Sequence, residues 1–95
     1  MKVLISEEVE NDLVNVFVYS LENFGEQIAN NYLQDLKSLF KSLADNPKIG
    51  KSLFDLEYQV FFFRDYVIFY KIQDTDLKII RIIHSSRDYI QILKD

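Results

Sequence analysis

The stretch that decides the fold is residues 9–47, VENDLVNVFVYSLENFGEQIANNYLQDLKSLFKSLADNP. Its apolar side chains recur every three or four positions, first over residues 9–24 and again over residues 28–43. This spacing places them along one side of a helix. Gly25 is suited to end the first helix, and Pro47 stops the second because proline disfavours helical backbone at the residue before it. Two helices on so short a link predict an antiparallel helical hairpin.

Segments with the composition of β-strands flank this hairpin. They are residues 2–5 before it and residues 58–63, 66–72 and 77–84 after it. Residues 64–65 suit a two-residue turn and residues 73–76 a longer one, so the last three segments predict an antiparallel meander. Residues 48–52 are predicted to form a loop, and residues 89–93 a last half-turn or short helix.

The predicted architecture is α+β in the order β-α-α-β-β-β-(α), with the helical hairpin packed on one face of a small, mostly antiparallel sheet. The central strand is apolar on both of its alternations: Tyr66, Ile68 and Tyr70 form one, Val67 and Phe69 the other. Sheets with this pattern are covered on both faces. Because two helices cover only one face, we expect the other face to need a partner.

Length and composition limit the possibilities further. A chain of 95 residues has room for a single domain, residues 1–95. It has no cysteine and one histidine, His84, so disulfides and two-histidine zinc motifs are excluded and we expect no metal and no cofactor. The first eight residues turn acidic before a leader could form, and no apolar run is long enough to cross a membrane. We therefore expect a cytoplasmic protein with no membrane partner.

Charge is unevenly distributed along the chain. The net charge is −4, which argues against a general nucleic-acid binder. Residues 1–46 contain three basic and eight acidic side chains, whereas residues 78–94 contain four basic and one acidic. Any chemistry that seeks an anion is therefore predicted at the C-terminal end of the chain.

Four features, in chain order, carry a resemblance to a known family. They are Val3-Leu4-Ile5-Ser6 followed by Asp12-Leu13; Tyr19, Phe24-Gly25, Ala29, Tyr32, Leu36 and Leu43 with Pro47 and Gly50 after them; the strand Tyr66–Ile72; and residues 79–83 followed by His84-Ser85-Ser86-Arg87-Asp88. Together they resemble the RelE/ParE superfamily of bacterial toxins over nearly the whole chain. The H-x-x-R-D ending resembles the ParE-like members.

This resemblance implies the toxin of a type II toxin–antitoxin pair, associated with growth inhibition and plasmid stabilisation. Such a toxin is neutralised in a hetero-oligomer with its cognate antitoxin. ParE-like members inhibit DNA gyrase, whereas RelE-like members cleave mRNA on the ribosome. The acidic charge and the small supply of catalytic groups favour the ParE-like, non-enzymatic reading. The alternatives are a RelE-like, metal-independent endoribonuclease and an attenuated member that only binds antitoxin.

The resemblance also suggests which residues carry function. The candidates for target binding are Arg81, His84, Arg87 and Asp88. The candidates for catalysis, if the chain is a ribonuclease, are Arg64, Arg81, His84, Arg87 and Tyr89. The family often has an arginine near the position of Gln59, and here the nearest arginine is Arg64, in the predicted turn. This departure counts against a ribonuclease site.

The four candidates for target binding also have purely structural interpretations. His84 can be a hydrogen-bonded histidine at a strand end, and Arg87 and Asp88 can cap the last turn. Arg81 alternates with Leu77, Ile79 and Ile83, so it either extends from a half-buried face or lines a site. Tyr58, Tyr66 and Tyr70 are expected to pack in and around the core. Glu7, Glu8, Glu10 and Asp12 are interpreted as a solvated helix face.

Overall fold

The computed structural model describes residues 1–52 and 57–94, and in these ranges it confirms the α+β architecture. The elements are β1 (Lys2–Ile5), α1 (Glu7–Phe24), α2 (Glu26–Asp45), a 3-10 helix (Pro47–Ile49), β2 (Lys51–Ser52), β3 (Gln59–Phe63), β4 (Tyr66–Gln73), β5 (Asp76–His84) and α3 (Tyr89–Lys94). The short strand β2 lies where the sequence predicts only a loop.

The helical hairpin forms as its sequence predicts, with a single residue between the helices. Ser6 caps α1, because its hydroxyl accepts a hydrogen bond of 3.2 Å from the Val9 N–H. Gly25 ends α1 at φ 89°, a conformation that a residue with a side chain adopts only with strain. The helix α2 starts at the next residue, so the chain reverses direction at this glycine.

The sheet has five strands in the order β1-β5-β4-β3-β2. Strands β2 to β5 pair antiparallel, whereas β1 runs parallel to β5. A parallel neighbour requires a long crossover connection, and the helical hairpin belongs to the one between β1 and β5. The turn between β4 and β5 is tighter than predicted: only residues 74 and 75 separate the strands, and Asp74 adopts φ 58°.

The helices cover the face of the sheet that we call the front face. The buried side chains between helices and sheet include Val9, Val16, Tyr32, Leu36, Phe40, Leu43, Tyr66, Ile68, Tyr70, Leu77, Ile79 and Ile82. Tyr66 and Tyr70 therefore pack in the core as predicted. The Tyr70 hydroxyl donates a hydrogen bond of 2.7 Å to the Pro47 carbonyl and accepts one of 2.9 Å from the Gly50 N–H. These bonds fasten the 3-10 helix to the sheet.

The opposite face, which we call the back face, corrects one expectation. Val60, Val67, Phe69 and Ile83 are buried there by the chain's own α3, through Tyr89, Ile92 and Leu93. The expectation that this face needs a partner is therefore wrong for its centre. A six-residue helix is long enough to cover these four side chains of the back face. The apolar side chains of this helix were visible in the sequence. At its margin Phe62 remains 52% exposed.

A β-bulge in β5 corrects the predicted alternation of that strand. Phe69 pairs with Arg81 and Tyr70 with Ile79, so two residues of β5, Ile80 and Arg81, stand opposite Phe69. The extra residue shifts the alternation, so that Ile83 lies on the back face and not on the same face as Leu77 and Ile79.

Candidate functional site

A cleft lined by both polar and apolar side chains lies between α1 and the C-terminal end of β5. Its volume is about 360 Å³. It is lined by Asp12, Asn15, Val16, Tyr19, Tyr66, Arg81, Ile82, Ile83, His84, Ser86 and Arg87. Helix α1 supplies one wall, and β5 with the turn that follows it supplies the other. Three of the residues predicted to bind the target, Arg81, His84 and Arg87, thus line one cavity.

An ion pair between Asp12 and Arg81 joins the two walls of the cleft. Arg81 Nε and Nη2 donate hydrogen bonds of 2.9 and 3.2 Å to the two carboxylate oxygens of Asp12. Asp12 Oδ2 also accepts a bond of 3.0 Å from the Ile82 N–H, next to the bulge. Glu8 Oε1 lies 3.2 Å from Arg81 Nη1. The hydrogen bond to Asp12 raises the pKa of the Arg81 guanidinium above its ordinary value, so this cation is held charged and well paired.

Asp12 corrects the interpretation of the first acidic run as a solvated face. Its residue surface is 7% exposed, and its carboxylate accepts three hydrogen bonds from β5. One signal in the sequence pointed to this position: Asp12 falls on the buried stripe of α1, between Val9 and Val16. A carboxylate on the apolar face of a helix requires a cationic or hydrogen-bonding partner.

An aromatic group of Tyr19, Tyr66 and His84 forms the side of the cleft. The His84 ring stands edge-on to Tyr66, with centroids 5.1 Å apart, and to Tyr19, with centroids 5.7 Å apart. The Ser86 N–H donates to His84 Nδ1 at 3.1 Å, and the Ser86 hydroxyl lies 2.8 Å from the same nitrogen. Because a backbone N–H can only donate, Nδ1 is an acceptor and the neutral ring carries its proton on Nε2.

The Tyr66 phenol at the side of the cleft is protonated at neutral pH. Burial, together with the neighbouring phenols of Tyr32 and Tyr19, raises the pKa of Tyr66 to about 12. A phenol with so high a pKa stays protonated at pH 7 and cannot serve as a general base there. Neither Tyr19 nor Tyr66 was singled out by sequence as a site residue, because an aromatic at the end of a helix or strand is usually packing.

The remaining predicted residues do not line the cleft. Asp88 caps α3 through a 3.3 Å hydrogen bond from the Gln91 N–H to its Oδ1, which is its structural alternative. Tyr89 packs on the back face against Phe69, across the sheet from the cleft. Arg64 lies in the β3–β4 turn, where it pairs with Asp35 at 2.6 Å and covers the Tyr32 ring at 4.8 Å. The five residues proposed for a ribonuclease are therefore not brought together.

Two further properties concern metal binding and membrane insertion. In residues 1–52 and 57–94, no group of three or more histidine, aspartate or glutamate side chains is arranged to hold a metal ion. In the same ranges, no helix is both long and apolar enough to cross a membrane.

Comparison with known proteins identifies the family to which this chain belongs. The family model described as ParE toxin of type II toxin-antitoxin system, parDE, matches residues 3–89. The chain belongs to the ParE toxin family. A solved structure with the same fold is the chromosomal ParDE TA system from P. aeruginosa, at a TM-score of 0.78 and 16% sequence identity. The alignment covers 88% of this chain and 95% of that one.

No sequence among the curated proteins matches the chain. The family is therefore established by its sequence pattern, and the solved structure agrees with it at the level of the fold. The matched residues include α1, β5 and the turn that contains Arg87, so every wall of the cleft belongs to the shared ParE region.

Proposed function

We propose that this ParE-family chain is a growth-inhibiting toxin that acts in the cytoplasm on DNA gyrase without catalysing a reaction, and that a cognate antitoxin neutralises it in a hetero-oligomer. The observation that carries the proposal is the match to the ParE toxin model over residues 3–89. RNA cleavage needs its acid, base and cations around one phosphate. Arg64 and Tyr89 do not line the cleft with Arg81, His84 and Arg87, and this supports a binding function over RNA cleavage.

An antitoxin has a suitable surface on the outer side of α1. Val14, Val18 and Leu21 recur at four and three residues and are 58%, 42% and 40% exposed. Phe24 and Ile28, on either side of Gly25, are 54% and 50% exposed. We call these five residues the apolar ridge. A helix face of this kind matches helix docking, in which anchors at three- and four-residue spacing enter a partner's groove or receive a partner's helix.

The function is tested by inducing the chain in a bacterial host, with and without the adjacent reading frame. We expect growth arrest with filamentation and a DNA-damage response, relieved when the neighbour is co-expressed. Purified protein should inhibit gyrase supercoiling in vitro. Rapid cleavage of transcripts without gyrase inhibition would favour the RelE-like ribonuclease. Antitoxin binding without toxicity would favour the attenuated member.

Substituting Arg87 with alanine should weaken toxicity more than it weakens folding. The Arg87 side chain is exposed at the rim of the cleft and makes no ion pair with the described part of the chain. Loss of one charge-assisted contact to the target corresponds to a drop in potency of about 10- to 100-fold. Potency is measured as the toxin dose that half-inhibits supercoiling, and folding by the melting temperature.

Lys94→Ala is the matched control, because Lys94 is an exposed cation in the same C-terminal region but does not line the cleft. We expect it to keep both potency and melting temperature. A large fall in the melting temperature of Arg87→Ala, with unchanged potency per folded molecule, would instead assign Arg87 a structural role.

A further inference from the structure

The charges around the cleft are unequally compensated. Arg81 is matched by two carboxylates: Asp12 binds its Nε and Nη2, and Glu8 its Nη1. With two anions for one cation, this side of the cleft attracts no further anion. Any anionic ligand must be held by another residue.

The H-x-x-R-D segment leaves one cation available. His84 is engaged through Nδ1 by Ser86, and Asp88 is used as the cap of α3. Arg87 lies between them, fixed by its backbone: its N–H donates to the His84 carbonyl at 3.1 Å, and its carbonyl accepts from the Tyr89 N–H at 2.9 Å. Its guanidinium is thus the cation at the cleft that no carboxylate of residues 1–52 or 57–94 pairs with.

The surroundings of Arg87 fit a side chain better than a polymer backbone. The cleft volume of about 360 Å³ is near the lower end of ligand pockets, which span roughly 300–1,000 Å³. Tyr19, 44% exposed, offers an apolar surface beside the polar groups of Asn15 and Ser86. A ligand that combines one anionic group with a neighbouring apolar or aromatic group matches both parts.

A carboxylate is favoured over a nucleic-acid phosphate. Binding to a phosphate backbone depends on several cations that each neutralise one phosphate. Here the cleft has one uncompensated cation, in a chain of net charge −4. A single guanidinium is enough for one carboxylate, because its planar donors match the two oxygens.

We propose that the cleft receives an aspartate or glutamate side chain of the antitoxin, bound by Arg87, with an adjacent apolar side chain placed on Tyr19. This inference rests on the proposed antitoxin pairing. Tyr19 connects the two surfaces, because its ring contacts both His84 of the cleft and Phe24 of the apolar ridge, the latter at 6.5 Å. An antitoxin bound along the ridge thereby reaches the cleft and occludes the residues assigned to the target.

The test is charge reversal with rescue. The probe is the protein encoded by the adjacent reading frame, titrated calorimetrically into the full-length toxin and its Arg87→Glu, Arg87→Gln and Lys94→Glu variants. We expect Arg87→Glu to weaken binding on the order of 10- to 100-fold, Arg87→Gln to weaken it less, and Lys94→Glu to leave it unchanged. Replacing each Asp and Glu of the antitoxin in turn with Lys should then identify one position that restores binding to Arg87→Glu.

The outcomes separate this inference from the proposed function. Equal binding by wild type and Arg87→Glu, both with native circular dichroism and melting temperature, overturns the carboxylate site and leaves the antitoxin pairing intact. No binding by the wild type contradicts the pairing itself and removes the inference with it. A third arm adds inorganic phosphate or a single-stranded oligonucleotide. Binding of either that is lost in Arg87→Glu, while antitoxin affinity is not, also overturns the proposal.

Discussion

At the scale of single residues, the cleft depends on one carboxylate that connects a helix to a strand. Asp12 joins α1 to β5 through both Arg81 and the backbone of Ile82. Its acceptance of the Ile82 N–H satisfies a backbone group beside the bulge, where the ladder with β4 is irregular. The position of Arg81 in the cleft wall therefore follows from Asp12 as much as from the strand.

Asp12→Ala should destabilise the protein by about 3 kcal/mol, because it leaves the buried Ile82 N–H without its acceptor and removes the buried carboxylate from the half-buried Arg81 guanidinium, which keeps only its contact with the exposed Glu8 among the described residues. Urea unfolding at pH 7 measures the change. Glu8→Ala, which removes the exposed carboxylate of the same cluster, should cost less than about 1 kcal/mol. The double variant Asp12→Ala/Arg81→Ala should be less destabilised than the sum of the single variants. Additive effects would show that the ion pair contributes nothing of its own.

At the scale of elements, the connection between α2 and the sheet depends on the close contact of Gly50 with the Tyr70 hydroxyl. A Cβ atom on Gly50 would overlap the Tyr70 hydroxyl, the same hydroxyl that bonds Pro47 and Gly50. Tyr70 is fully buried, so it cannot move aside into solvent. Gly50 is therefore required here for space, whereas Gly25 is required for its positive φ.

Gly50→Ala should lower the unfolding free energy by about 1–3 kcal/mol, the range typical of overpacking. Removing the obstructing hydroxyl in Tyr70→Phe should make the alanine better tolerated, so the second substitution costs less in that background than in the wild type. Thermal melts of the four proteins in this cycle provide the comparison. Equal costs of Gly50→Ala in both backgrounds would show that the hydroxyl is not the obstacle.

The elements also show how far the sequence predicts the molecule. Helix α1, helix α2 and the strands β3 to β5 follow from apolar periodicity and turn residues, so their order and class are predicted correctly. The strand β2 was missed because two residues, Lys51 and Ser52, contain no pattern. The bulge at Ile80 was missed because an inserted residue in an apolar strand leaves the composition unchanged. For the same reason, Ile83 was predicted on the wrong face of the sheet.

For the candidate site, the sequence identified the segment but not the division of roles within it. His84, Arg87 and Asp88 are neighbours in sequence, yet the first lines the cleft side, the second its rim, and the third caps a helix. Asp12 lies 69 residues before its partner Arg81, and no local pattern links two such positions. Tyr89 was grouped with the cleft, but the change of direction before α3 carries it to the back face.

At the scale of the whole molecule, buried phenols make the stability of the fold decrease at alkaline pH. Burial raises the pKa of Tyr66 to about 12 and also raises the pKa values of Tyr32 and Tyr70. In the unfolded chain a tyrosine loses its proton near pH 10. Between these values the folded state binds more protons than the unfolded state, so stability falls as pH rises. The contribution is complete below pH 10 and is lost progressively towards pH 12.

Tyr66→Phe should therefore lose less stability between pH 9 and about 11.5 than the wild type does. Urea midpoints at three pH values in this range test the difference. All other ionisable groups are the same in both proteins, so the comparison isolates the phenol. Parallel pH profiles for the two proteins would contradict a raised Tyr66 pKa in the folded state.

The pairing of β1 with β5 has a consequence for the order of synthesis. The first strand is made long before its neighbour, since Ile5 pairs with Ile79. Until β5 leaves the ribosome, β1 has no ladder and Asp12 has no arginine, and the buried stripe of α1 lacks most of its sheet. Contacts between segments so distant in sequence also form slowly. The cleft is thus assembled only after nearly every described residue has been translated, so a partly synthesised chain lacks it.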